Sequence, residues 1–211
     1  MNLFFDIETI PAAQEQHEIL KQIHTKKLED GKKVSDNFRE YLEATSFDGA
    51  FGRIICIGYA KDDEPVEVLK GDEKQILKDF WEISKKALLF IGFNNMDFDL
   101  RFIYQRSVIN RVEPTRNLSF ARYRNDPIFD IMHEWNKWDF RSHISLDSLA
   151  KALGIKSSKG GEIEGKNVWQ AYQEDKIDQI CAYCKKDVEV TRQIYNRMTF
   201  ENQQQLSKNH G

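Results

Sequence analysis

Two acids stand two residues apart in the opening stretch "NLFFDIETIP", residues 2 to 11: Asp6 and Glu8. Apolar and polar positions alternate there, with Leu3, Phe5 and Ile7 on one face and Phe4, Asp6 and Glu8 on the other. Residues i and i+2 of a strand point the same way, so the two carboxylates share a face. Side by side on a buried surface they repel, and one must take up a proton unless a cation joins them. Mg2+ and Mn2+ prefer oxygen ligands and remove that penalty. An isolated D-x-E is more often a pair of exposed edge acids. Here Phe4, Phe5 and Ile7 argue for a central strand, where uncompensated acids are expensive.

Two further stretches carry chemistry. In "IGFNNMDFDLRFI" a buried strand ends in a polar turn, and Phe98 and Asp99 open a helix. Asp97 or Asp99 can serve there simply as a helix cap. In "YCKKDVEVTRQIY" Tyr183 and Asp187 are i and i+4, on one helix face. They border a core stripe of Ile177, Ile180, Cys184, Val188, Thr191, Ile194 and Met198, which predicts a semi-buried pair.

The elements that must hold these residues are legible in outline. Pro11 closes the first strand. Residues 12 to 50 are polar and predict one or two helices with a mobile part around "EDGKKVSD". "RIICIGYA" and "VEVLK" are strands separated by the turn Asp62-Asp63-Glu64-Pro65, which gives an antiparallel meander. Gly71-Asp72 start a helix with Ile76, Leu77, Phe80, Trp81 and Leu88 at helical spacing. "LLFIGF" is a strand, and "FDLRFIYQRS" and "LDSLAKAL" are helices, the second with Ser145 as N-cap and Gly154 as its stop. A last helix runs from about Ile177 to Met198. Strands followed by helices predict an α/β fold with a mixed central sheet flanked by helices. Residues 1–200 are expected to form a single domain, and the tail 201–211 to fray.

Composition narrows the class. The chain has 211 residues, 40% of them apolar and 31% charged, and a net charge of −3. Such a balance suits a globular protein and does not advertise a nucleic-acid-coating one, although a nuclease with metal-neutralised acids need not be basic. No apolar run approaches the roughly 18 to 20 residues of a membrane span. With no secretory signal pattern and three cysteines read as reduced, mostly buried thiols, a cytoplasmic location is expected. Cys181 and Cys184 form a lone C-x-x-C without a second pair to complete a zinc site. The five histidines have no metal or triad spacing and read as surface or structural residues.

The ordered set is more specific than its parts. D-x-E on the first strand, N-x-x-x-F-D into a helix and Y-x-x-x-D on a late helix resemble the DEDDy branch of the 3′–5′ exonucleases. The resemblance extends to "FGRIICIGYA", "SLDSLAKALGI", "KGGEIEGKNVWQAYQ" and "ICAYCKKDVEVTRQIYNRM". It points to the stand-alone bacterial family of predicted exonucleases related to the proofreading domain of family-B DNA polymerases. The histidine branch needs H-x-x-x-x-D, and Ala182 holds that position here. The resemblance implies a ribonuclease-H-like fold and two divalent cations, Mg2+ or Mn2+, held by Asp6, Glu8, Asp99 and Asp187. Tyr183 would orient the attacking water. Thr9 and Asn94 would lie near the substrate, whereas Phe98 reads either as core packing or as a stacking platform, and Arg101 as a substrate contact from the arginine-rich stretch that follows.

Implied partners are single-stranded DNA or frayed 3′ ends, with the same chemistry on RNA as one alternative and a catalytically silent end-binding module as another. A backbone clamp is also readable in Arg101, Arg106, Arg111, Arg116, Arg122 and Arg124, with Tyr104, Phe120 and Tyr123 interleaved. An ordinary polar helix face followed by a surface loop is equally readable. The basic, glycine-rich "KSSKGGEIEGK" stretch would border the active site.

Overall fold

The protein is described here by a computed structural model covering residues 1–139 and 141–200. Its strands are β1 (Asn2–Ile10), β2 (Arg53–Lys61), β3 (Glu67–Lys70), β4 (Leu89–Gly92) and β5 (Ile128–Asp130). They form a mixed sheet in the order β3-β2-β1-β4-β5. β1 pairs antiparallel with β2, and β2 antiparallel with β3, so the expected meander is present. β4 runs parallel to both β1 and β5. β1 is the central strand, and the acids of the D-x-E stand on it.

The alternation in "NLFFDIE" places β1 between two helical layers. Leu3, Phe5 and Ile7 pack with Phe80 and Trp81 of α3 (Glu73–Ser84) and Phe102 of α4 (Asp99–Asn110). On the opposite face Phe4 packs with Leu149 of α6 (Leu146–Ala152) and Val188 and Tyr195 of α8 (Ile177–Thr199). The expected start of α3 holds: Asp72 accepts a hydrogen bond from Gln75 N–H at 3.0 Å. α3 ends at Ser84, so Leu88 falls beyond it and is 68% exposed instead of joining the apolar stripe. Ser145 caps α6, and Gly154 follows with a φ of 68°.

Residues 12–50 contain two helices, α1 (His17–Glu29) and α2 (Phe38–Ala44), with short 3-10 turns beside them. Three elements were not anticipated: β5, α5 (Ile131–Asn136) and α7 (Val168–Gln173). Each is six residues or fewer, too short to carry a readable period. The tail 201–211, expected to fray, lies outside the described residues. Among the described residues no helix is long and apolar enough to cross a membrane.

The arginine clamp is partly overturned. Arg106 is buried and bonds both oxygens of Glu73, at 2.9 and 2.8 Å, and so ties α4 to α3. Arg116 donates to the Ala87 carbonyl. Arg101 bonds the Met96 carbonyl at 2.9 Å and stands 3.4 Å from Asp97. The covalent spacing of the arginines was visible in the sequence; their partners, distant along the chain, were not.

The contact of α8 with β2 is close enough to test. A Cβ added at Gly58 would meet Cys184 Sγ at 2.9 Å and Val188 Cγ2 at 3.0 Å. Overpacking of this kind costs about 1–3 kcal/mol. Gly58→Ala should lower the unfolding free energy by about that amount in a denaturant titration, because α8 must move off the sheet.

Candidate active site

β1 delivers its acids at an irregular point of the sheet. Its register against β2 shifts between Glu8 and Thr9, a bulge that re-aims the strand where the acids end. Its ladder with β4 is recorded for Asn2 to Phe4, so the edge beyond Phe4 needs other partners. Asp99 supplies one: its Oδ1 accepts from Ile7 N–H at 3.1 Å. The first residue of α4 is thereby fixed against the strand carrying Asp6 and Glu8.

Asp187 comes from α8 on the other side. Asp99, Asp187 and Glu8 all bear on the charge of Asp6, and Asp187 and Asp99 on that of Glu8. The sequence-predicted acids therefore gather around one spot. Tyr183, half-buried, stands one helical turn before Asp187.

The electrostatics record the crowding. Burial, followed by the neighbouring carboxylates, holds Asp6 and Glu8 well above the usual carboxylate range. Burial pushes Asp99 to about 7, against the hydrogen bonds it accepts. Asp187 is also raised by burial, with Ser158, Tyr183 and Lys159 drawing it back. Burial and the Asp187 charge raise the Tyr183 phenol far above its ordinary value, so it stays protonated.

Three participants were not identified from the sequence. Cys184 reads there as core, yet its Sγ, an Asp6 oxygen and a Glu8 oxygen all lie within 4.8 Å of one another. The thiol contacts Asp6 Oδ2 at 3.5 Å and accepts from Gly58 N–H at 3.2 Å. Its position between Tyr183 and Asp187 was the available signal. Asp130, almost fully buried, accepts from Asn94 N–H at 3.1 Å and Met96 N–H at 2.9 Å and also caps α5. It pins the turn that launches Asp99, and the Asp before "IMHEW" was the cue. Ser158, from the glycine-rich stretch, is buried and faces Asp187.

The expected substrate residues are placed unevenly. Glu8, Thr9 and Phe98 line one cleft of about 800 Å3. The Thr9 hydroxyl is committed to the Ser46 carbonyl at 2.7 Å. Asn94 takes a φ of 60° in the turn held by Asp130. Arg101 lines a different cavity, of about 410 Å3, beside Phe120, and none of the four acids lines it.

The residues fit a divalent cation. Asp187 Oδ1 is buried and has no hydrogen-bond partner among the described residues. An oxygen left so costs free energy unless something coordinates it. The acids offer oxygen donors, as hard cations require, and their mutual repulsion falls when such an ion binds.

The sign of the pH effect follows. A carboxyl whose folded pKa lies above its unfolded value of about 4 favours folding only while it is protonated. Without metal, stability should fall as pH rises from about 4 through about 7, the Asp99 value. A thermal midpoint lower at pH 8 than at pH 5 in EDTA, and raised again by Mn2+ at pH 8, is the expected result. A midpoint independent of pH and metal would refute the reading of the acids as a mutually repelling set.

Known proteins resemble this chain in sequence and in fold. An uncharacterized protein of Methanocaldococcus jannaschii is 26% identical over 164 residues, covering 73% of this chain and 90% of that protein. The family B DNA polymerase of the hyperthermophilic archaeon Pyrobaculum calidifontis superimposes with a TM-score of 0.63 at 15% identity. The match covers 93% of this chain and 24% of the polymerase. The fold is ribonuclease-H-like, as in the polymerase exonuclease domain. Residues 48–210 match a family described as predicted 3′–5′ exonucleases related to the exonuclease domain of PolB, and the chain belongs to that family.

Proposed function

We propose that residues 1–200 act as one metal-dependent exonuclease domain of the DEDDy type. It hydrolyses the last phosphodiester bond at the 3′ end of single-stranded DNA and releases nucleoside 5′-monophosphates, in the cytoplasm. The observation that supports this reading is the convergence of Asp6, Glu8, Asp99 and Asp187 from three separate elements on one spot, with Tyr183 beside them.

Water attacks the terminal phosphorus, the bond to the 3′ oxygen of the preceding nucleotide breaks, and that oxygen leaves with a proton. Two divalent ions, Mg2+ or Mn2+, held by the four carboxylates would lower the pKa of the water and offset charge on the phosphate. Tyr183 stays protonated and orients the water by hydrogen bonding, since so weak an acid cannot act as base at neutral pH. Asp99 holds α4 against β1 while it shares in the acid cluster. Asp130 keeps the Asn94–Met96 turn in place.

Labelled DNA and RNA oligomers of matched sequence, incubated with Mg2+ or Mn2+, test the reading. Stepwise shortening of DNA from the 3′ end is expected, with RNA cut more slowly. Asp6→Ala and Asp187→Ala should each abolish turnover while the chain stays folded, and Tyr183→Phe should lose about 10²-fold. Binding of every oligomer with cleavage of none would replace hydrolysis with end capture. Full turnover in either aspartate variant would refute the metal-ligand assignment.

A further inference from the structure

The cleft that opens on Glu8 and Thr9 has a wall contributed from residues 39–47, immediately before the segment 48–210 shared with the family. This wall ends in Phe47, a residue 76% exposed. An exposed phenylalanine by itself signifies little. Phe47, however, is anchored. The residue before it accepts the Thr9 hydroxyl on its carbonyl at 2.7 Å. Thr45, one residue earlier, accepts Ala12 N–H on its hydroxyl at 2.9 Å and donates that hydroxyl to the Leu42 carbonyl at 2.6 Å. The end of the catalytic strand and the base of Phe47 are thereby tied together on both sides. The Phe47 ring stands 6.2 Å from that of Phe98, the residue before Asp99, at 50°. Trp169 and Gln170 of α7 line the same cleft.

A fixed, solvated aromatic face beside the acids is suited to a flat, partly apolar ligand. The cleft volume of about 800 Å3 is within the usual range of about 300–1,000 Å3 for small-molecule sites. We infer that Phe47 is the platform on which the 3′-terminal nucleobase of the strand stacks, a specificity element of this chain contributed by residues 12–50. The inference rests on the exonuclease reading for the identity of its ligand. A base stacked there keeps its nucleotide in the cleft that Glu8 lines, with the phosphate toward the acids. Stacking needs only a π-face, so the site accepts all four bases. A base still paired and stacked in a duplex cannot use it, which selects single-stranded or frayed ends.

The test compares two fluorescent oligothymidylates that differ only at the 3′ end, one with its terminal base and one with an abasic residue. Binding is read by anisotropy in Ca2+, which keeps the measurement independent of turnover. Wild-type protein is expected to prefer the base-bearing end by about tenfold, the lower part of the range for one stacked base. Phe47→Ala should bind the two ends equally and keep its thermal midpoint, since the side chain is exposed. Phe47→Trp should restore the preference. Unchanged discrimination in Phe47→Ala would overturn the inference. If the wild-type protein cleaves nothing in Mn2+ yet the anisotropy difference depends on Phe47, the hydrolytic reading fails and the platform stands. Cleavage with no dependence on Phe47 removes the platform alone.

Discussion

Carboxylates held close together in a place poor in water dominate this protein. Each unit of charge there lacks solvent to screen it, and each raises the cost of the next. Asp6, Glu8, Asp99 and Asp187 all respond in the same direction, toward the protonated form. A scaffold not built to oppose that repulsion would simply let the side chains turn outward.

The opposition is visible in how the acids are attached. Asp6 and Glu8 are on a strand buried on both faces and flanked by partners in the sheet, which cannot twist them away. Asp99 is tethered through the Ile7 amide. Its turn is tethered in turn by Asp130, an acid that spends its oxygens on backbone N–H groups. Asp187 is carried by a 23-residue helix seated closely over Gly58. Cys184 on that helix contacts β2 and Asp6 at once, coupling the position of the helix to that of the acid. The strain is thus borne by the core, and a bound cation would relieve it.

The segment of residues 12–50 has a comparable logic. Its sequence is polar and weakly periodic, yet its end is bonded to Thr9 of β1 and to Ala12 just beyond that strand by two side-chain hydrogen bonds. Anchored in this way, it becomes part of the rim of the acid cleft. The glycine-rich stretch on the other side contributes Ser158, buried against Asp187, and a cavity of about 200 Å3 beside Tyr183. The acid site therefore has two walls built from segments that carry none of the acids.

Much of this was determined locally. A period of two on β1 and of 3.6 on α3 and α8 sorts side chains to faces through backbone geometry alone, so the central strand, the long helix and the common face of Asp6 and Glu8 were readable from the order of residues. Caps such as Asp72 and Ser145 act on amides two or three positions away, and they too were readable. Tertiary structure decided everything that joins distant positions. Arg106 was given to Glu73 instead of to a substrate, Cys184 was brought to Asp6, and the short β5 acquired its place by pairing with β4. Such choices depend on which surfaces meet when the chain closes on itself, and neither spacing nor propensity within one segment carries that information.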